Sequence, residues 1–310
     1  MSAPTIAVRK IPAPAPGETR KGGWVVRITI VAIAVLWLVP TIGVLVTSFR
    51  PQSLVATSGW WTALAHPFRA AEWTMENYGL AIDAQGFGNA FLNSLAVSIP
   101  ATVIPITIAA FAAYAFAWME FRGRNILFVL VVGLMVVPLQ MALIPILRLF
   151  TQGAVLFGYR IFPDLDLNRT FLGIWLAHTA FGLPLATYLL RNYIGSLPSS
   201  IIESAKIDGA DHFTIFWRLI VPLSIPALAA FTIFQFMWVW NDLLVAYVFL
   251  GGAGQNRVLT IALRELIGAR GENWHLLTAG AFISMTLPLA VFFSLQKYFV
   301  RGLTAGAVKG

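Results

Sequence analysis

Four charged side chains, Glu203, Lys206, Asp208 and Asp211, fall within nine positions of "IIESAKIDGADHFTIFWRLIVPLSIP", residues 201–226. Acid and base alternate there. That suits contact with a protein surface better than the purely basic polar face with which an amphipathic helix binds lipid. A second cluster, "QFMWVWNDLL", joins Trp238, Trp240, Asn241 and Asp242. Indole faces stack on sugar C–H surfaces and amide or carboxylate groups bond hydroxyls, so this cluster suits a passing carbohydrate. It is equally able to serve as an interfacial or inter-subunit cap. The four histidines, His66, His178, His212 and His275, are far apart and lack metal-ligand spacing. With no cysteine, disulfides and thiolate-held metals are excluded, and no metal site is expected. No G-x-x-x-x-G-K-[ST] occurs, and "GLTAGAVKG" fails both in spacing and in lacking Ser or Thr after Lys309.

The elements that position these groups are apolar helices. The 310 residues are 58% hydrophobic and 11% charged, against about 25% charged in soluble domains. The chain is therefore an integral membrane protein. A span needs about 20 apolar residues, and six stretches qualify: about 28–49, 93–119, 125–147, 170–190, 222–250 and 275–296. Asp242 is the one formal charge inside them, which makes it a functional candidate, although it stands about 30 Å along a helix begun at Pro222. Pro40, Pro100, Pro105, Pro138, Pro145, Pro184, Pro226 and Pro288 fall within the spans. Membrane helices tolerate proline where neighbouring groups re-satisfy the freed carbonyls, so kinked helices are expected. Gln140 and His178, beside prolines, read as packing residues between helices.

Six spans put both termini on one side. That side holds 13 of the 21 Lys and Arg and 5 of the 13 acids, whereas the other holds 8 of each. The whole net charge of +8 thus lies on one face, which the positive-inside rule makes cytoplasmic. Nucleic-acid binding loses its motive. Residues 1–22, rich in Pro, Ala and Gly, read as a disordered cytoplasmic tail. The first span is too long for a signal peptide's apolar core and is expected to be retained. On the other side, residues 50–83 carry Trp60, Trp61, Trp73 and Tyr78, suited to the interfacial aromatic belt or to an external partner.

The polar segment between spans 4 and 5 parses as helix, turn, helix. Ser200 and Glu203 fit a capping box, Gly209 supplies a positive φ to end the first helix, and Asp211 caps a second one leading into the fifth span at Pro222.

At these residues the chain resembles importer-type ABC transporter permeases, whose cytoplasmic loop reads E-A-A, three residues, G, nine residues, I-x-L-P. Here it reads Glu203-Ser204-Ala205, then Gly209, then Leu219-Ile220-Val221-Pro222, with the spacing intact and mild substitutions. "NSLAVSIPATV", "AAYAFAWMEFRGR", "WNDLLVAYVFL" and "QKYFVRGLTAGAVKG" look like the carbohydrate-uptake, maltose-type subfamily over roughly residues 24–310. The resemblance implies an all-α, six-span subunit of a sugar importer in a bacterial or archaeal cytoplasmic membrane, working by alternating access. It implies that Glu203 to Gly209 is a coupling helix docking on a cytoplasmic ATPase, through Glu203, Ser204, Ala205, Asp208, Gly209 and Pro222. Glu203 and Asp208 can pair with basic groups there, Ala205 permits close approach and Gly209 fixes the turn. The implied partners are a second permease subunit, two ATPase subunits holding ATP and Mg, and an extracytoplasmic sugar-binding protein. This chain itself is expected to bind no cofactor. The Gly/Ala-rich tail is either a loose end or a segment reaching between the ATPases.

A stand-alone ion-coupled secondary transporter is the rival, but it calls for internal repeats and several buried ionisable residues. A non-transporting scaffold leaves the loop motif without a purpose. For substrate, the resemblance favours a disaccharide or oligosaccharide, with an α-glucoside favoured by the "GWWTAL" segment, and polyols or glycerol phosphates remain open.

Overall fold

The computed structural model describes residues 23–268 and 270–305. The tail of 1–22 and the tip of the C-terminal tail, residues 306–310, lie outside the described residues. The chain divides into two compact units, 1–44 and 45–310. The described part of the first is most of α1 (Trp24–Ser48), an apolar helix with Pro40 inside it.

The second unit opens with three short helices, α2 (Gln52–Thr57), α3 (Trp61–Ala65) and α4 (Glu76–Asp83). They fold around Arg50, which is 1% exposed. Its guanidinium donates to the Ser58 and Gly59 carbonyls, to the Ser58 and Thr62 hydroxyls, and to Glu72 at 3.4 Å. Asn77 donates to the Ser48 and Arg50 carbonyls. All these bonds come from the two terminal nitrogens, whose four N–H groups must share at least one donor among the five acceptors, while Nε has no hydrogen-bond partner among the described residues. Around this hub Trp61, Phe68 and Met75 remain exposed.

The membrane helices follow. They are α5 (Phe87–Trp118), α6 (Arg124–Gly133) with α7 (Leu139–Gln152), α8 (Phe171–Gly195), α11 (Val221–Trp240) and α14 (Trp274–Ala305). Between them lie a β-hairpin, β1 (Ala154–Leu156) with β2 (Tyr159–Phe162), and the short helices α9 (Ser199–Ile207), α10 (His212–Ile215), α12 (Leu244–Leu250) and α13 (Leu259–Leu266). Five helices are long and apolar enough to cross a membrane, and the bent α6–α7 pair brings the number to six.

Two expected spans differ. The third is not one kinked helix: α6, extended by a 3-10 turn, and α7 meet at 109°. The cause is local. Pro138 bars its predecessor from helical geometry, and Val137 is extended at ψ 116°. The fifth starts earlier and ends earlier than expected. α10, a π turn at Phe216–Ile220 and α11 run on without interruption from His212 to Trp240, and the helix stops at Asn241. Asp242 therefore stands in a helix break rather than inside a span.

Three other prolines are accommodated from neighbouring helices. Pro105 removes the donor that the Ala101 carbonyl would have had, and Gln235 of α11 supplies one at 3.1 Å. Pro100 does the same to Ala96, which accepts from the Trp175 indole of α8 at 2.9 Å. Pro288 does so to Ser284, which accepts from Trp240 at 3.0 Å. Interhelical side-chain bonds in membranes are worth about 0.6 kcal/mol on average, but a buried carbonyl left unpaired costs about 1–3 kcal/mol. These bonds chiefly remove a penalty.

At the polar-loop end the core is built on small residues. Ala109, Ala110 and Ala113 of α5 and Ala186 of α8 are buried with Leu190, Ile194, Ile202, Ile215 and Phe216. Small side chains let the helix backbones approach.

Candidate functional site

The polar loop is built as two capped helices. α9 follows Pro198 and has no side-chain cap, so the expected Ser200–Glu203 capping box does not form. Pro198 is already extended, and its fixed φ sets the entry to the helix. The end of α9 is a complete Schellman motif: Ala210 N–H donates to the Ala205 carbonyl and Gly209 N–H to that of Lys206. Gly209 has φ +80°, a conformation that costs other residues about 1–2 kcal/mol. Asp211 then caps α10, accepting from Thr214 N–H at 2.8 Å. Hydrogen bonding from the Thr214 side chain and backbone holds its carboxyl below the ordinary aspartate range. The cap is therefore ionised at neutral pH. Its contribution is present above the unfolded-state value, about 3.9, and is lost as pH falls through the lower folded value.

The face that α9 presents is mixed. Glu203, Ser204, Lys206, Ile207, Asp208 and Gly209 are exposed, and Ile207 is 86% exposed. None of Glu203, Lys206, Asp208 and Asp211 has an ion-pair partner among the described residues. Ala205 differs from expectation: it is half-buried and packs on this chain's own core with Ile202. The close approach it permits is to its own bundle. Pro222 lies inside the unbroken His212–Trp240 helix, just after the π turn at Phe216–Ile220.

The loop is fastened to the bundle through aromatic contacts. The Tyr114 hydroxyl of α5 lies 2.8 Å from His212 Nδ1. Phe111 stacks on Phe216 with centroids 4.4 Å apart, and Trp118 donates to the Ile194 carbonyl.

The second candidate cluster lies at the far end of α11, and its members part company. Trp238 lines an apolar groove of about 540 Å³, with Met135, Pro138, Ile146, Phe181 and Pro184. Trp240 is buried and turned to α14. Asn241 is exposed and donates back to the Met237 carbonyl. Asp242 caps α12, accepting from Val245 and Ala246 N–H at 3.2 and 2.8 Å, and its carbonyl accepts from Thr260. His178 of α8 is fully buried, its Nε2 3.8 Å from an Asp242 oxygen. Gln140 is exposed rather than packed between helices of this chain. No group of three or more His, Cys, Asp or Glu among the described residues is placed to hold a metal.

Sequence reasoning did not single out Gln235. Its signal was an amide inside a span, and its partner is identified only by counting four residues back from Pro105.

Residues 105–305 match the family described as the binding-protein-dependent transport system inner membrane component. The chain belongs to that family. The permease is 56% identical to the osmoprotective compounds uptake permease protein GgtD of Synechocystis sp., over 92% of this chain and 91% of that one. It is 43% identical to the alpha-glucoside transport system permease protein AglG of Rhizobium meliloti, covering 93% and 97% of the two chains. In fold it is similar to a bacterial ABC transporter involved in alginate import, at 22% identity and a TM-score of 0.67 over 89% of this chain and 96% of that one. The permease is thus a multi-pass inner-membrane subunit of a binding-protein-dependent ABC importer, a transporter component rather than an enzyme. Stand-alone ion-coupled transport is not favoured.

Proposed function

We propose that the permease forms half of the translocation pathway of a sugar importer, beside a second permease subunit, and is driven by two ATPases that hold ATP and Mg. The α9 helix is the contact with one ATPase. Glu203, Lys206 and Asp208 offer charges that no residue of the described bundle answers, and Ile207 offers an apolar knob between them. Gly209 and Asp211 set the turn, and the unbroken helix from His212 through Pro222 to Trp240 carries displacement into the membrane. The exposed, unpaired α9 face on a doubly capped turn is the observation that carries this reading. The charge bias of the loops supports a cytoplasmic location for that turn and for both termini.

For the pathway, Trp238 is the surviving candidate for sugar contact because it lines the groove. Trp240, Asn241 and Asp242 fit a gate-forming role, shaping the α11–α12 break. Every side chain lining the groove is apolar, which suits a neutral sugar over an acidic one. A relative named for α-glucoside transport points the same way. We infer a neutral α-glucoside, taken from an extracytoplasmic binding protein.

Purification from detergent tests the assembly: the account expects an ATPase and a second permease in stable stoichiometry, and recovery of the chain alone contradicts it. Calorimetry of the adjacent encoded binding protein against a sugar panel tests the substrate. Tightest binding of an α-glucoside is expected, and preference for a polyol or a glycerol phosphate would overturn that assignment.

A further inference from the structure

Gln235 is fully buried where three membrane helices meet. It belongs to α11, and its amide donates to the Ala101 carbonyl of α5 that Pro105 leaves without a backbone donor. On its other side is Gly182 of α8, where a Cβ would stand 2.7 Å from both amide heteroatoms. A Cβ there would force the amide to shift. The amide oxygen has no hydrogen-bond partner among the described residues. Five residues further on, Trp240 makes the equivalent bond to the carbonyl freed by Pro288 in α14. One helix thus holds the proline break of two others.

A proline break is where a helix can bend, because the i to i−4 ladder is interrupted there. A side chain that bonds the freed carbonyl fixes the break to its own helix while retaining torsional freedom that a backbone bond lacks. α11 is also the continuation of the 199–220 loop, with no helix end between His212 and Trp240. Movement of that loop therefore reaches Gln235 along a continuous helix.

We propose that Gln235 is a positioning residue for transport: it ties α11 to the break in α5, so that displacement of the polar loop bends α5 at Pro105 instead of sliding past it. This rests on the reading of the loop as the ATPase contact. Trp240 plays the corresponding part toward α14, and Trp175 braces the second break of α5, at Pro100, from α8.

The test uses the assembled transporter in lipid nanodiscs, with spin labels on Leu92→Cys and Ile108→Cys. The chain has no native cysteine, and both positions are exposed on α5 on either side of Pro105. Their separation is compared between nucleotide-free and ATP–vanadate-trapped states in four backgrounds: unaltered, Gln235→Leu, Pro105→Ala, and the two combined. The unaltered protein should change by about 2 Å, the scale of helix shifts in switching proteins. Gln235→Leu should abolish the change and lower the melting temperature. Adding Pro105→Ala restores a backbone donor to Ala101, so the double variant should recover the melting temperature but not the distance change. A purely structural role predicts that the double variant recovers both, and that result overturns the proposal. So does an unaltered protein without a distance change, a Gln235→Leu protein that keeps it, or a double variant that stays as unstable as Gln235→Leu alone. Glu203→Lys serves as the separate control. If it leaves the distance change intact while Gln235→Leu removes it, the loop reading fails and the Gln235 pivot stands.

Discussion

The Tyr114 hydroxyl and His212 Nδ1 lie 2.8 Å apart, joining α5 to the first residue of α10. With Phe111 stacked on Phe216 beside it, the polar loop is held at two points to the same membrane helix. A loop so fastened moves with α5 and α11 together, which a loop tethered only by its chain ends would not.

Tyr114→Phe removes the hydrogen bond and leaves the ring contacts. We expect a loss of about 1 kcal/mol in stability and more ATP hydrolysed per sugar imported. Phe111→Ala should act in the same direction and more strongly, because it removes the stack. Transport and ATPase rates measured together in proteoliposomes check both.

The Arg50 hub predicts a different kind of failure. Arg50→Ala leaves buried Glu72 with only the exposed Arg69, 4.0 Å away, and breaking a buried pair costs about 3–5 kcal/mol. Arg50→Lys should rescue little, because a lysine cannot reproduce the fork that serves the Ser58, Gly59 and Thr62 acceptors. Limited proteolysis should show cleavage within residues 52–75 in both variants, with the membrane helices still protected.

The position of Asp242 sets a third. Asp242 accepts from Val245 on one carboxylate oxygen and from Ala246 on the other, whereas asparagine offers one acceptor oxygen and keeps one of the two bonds. Asp242→Asn should therefore keep near-normal uptake with a stability loss smaller than that of alanine. Asp242→Ala should lose about 1 kcal/mol of stability and loosen the α11–α12 break. Loss of uptake in the asparagine variant, with stability above that of the alanine variant, would mean that the charge itself acts on the substrate or the gate.

The parts of this architecture that were legible in the sequence are the ones set by local rules. Apolar run length located six stretches that cross or nearly cross, but not the 109° bend of the third nor the earlier start and end of the fifth. Gly209 and Asp211 sit in turn and cap geometry that needs few neighbours. What was not legible depends on choices that several local patterns permit. Pro138 breaks its span, with Val137 extended before it, while Pro40, Pro145, Pro184 and Pro226 stay inside helices as Pro100, Pro105 and Pro288 do, the last three with a donor from another helix on the carbonyl they free. Ser200 and Glu203 had capping-box spacing, yet the helix begins at Ser199, and Pro198 with its extended backbone takes the cap position. Asp242 looked like an intramembrane charge because the residues after it are as apolar as those before. Only the bonds from Val245 and Ala246 mark the break. Ala205 faces inward for a reason invisible locally: Ile202, three residues earlier, is drawn into the α5–α8 core.

The central claim is that the exposed face of α9 transmits ATP-driven work. Uptake per ATP hydrolysed by the reconstituted complex, measured for Glu203→Lys against the unaltered protein, tests it most directly. The account predicts that the variant enters the membrane and assembles normally in its helical core, while uptake falls at least tenfold and ATP hydrolysis ceases to depend on the binding protein. Unchanged uptake with unchanged stimulation would contradict it.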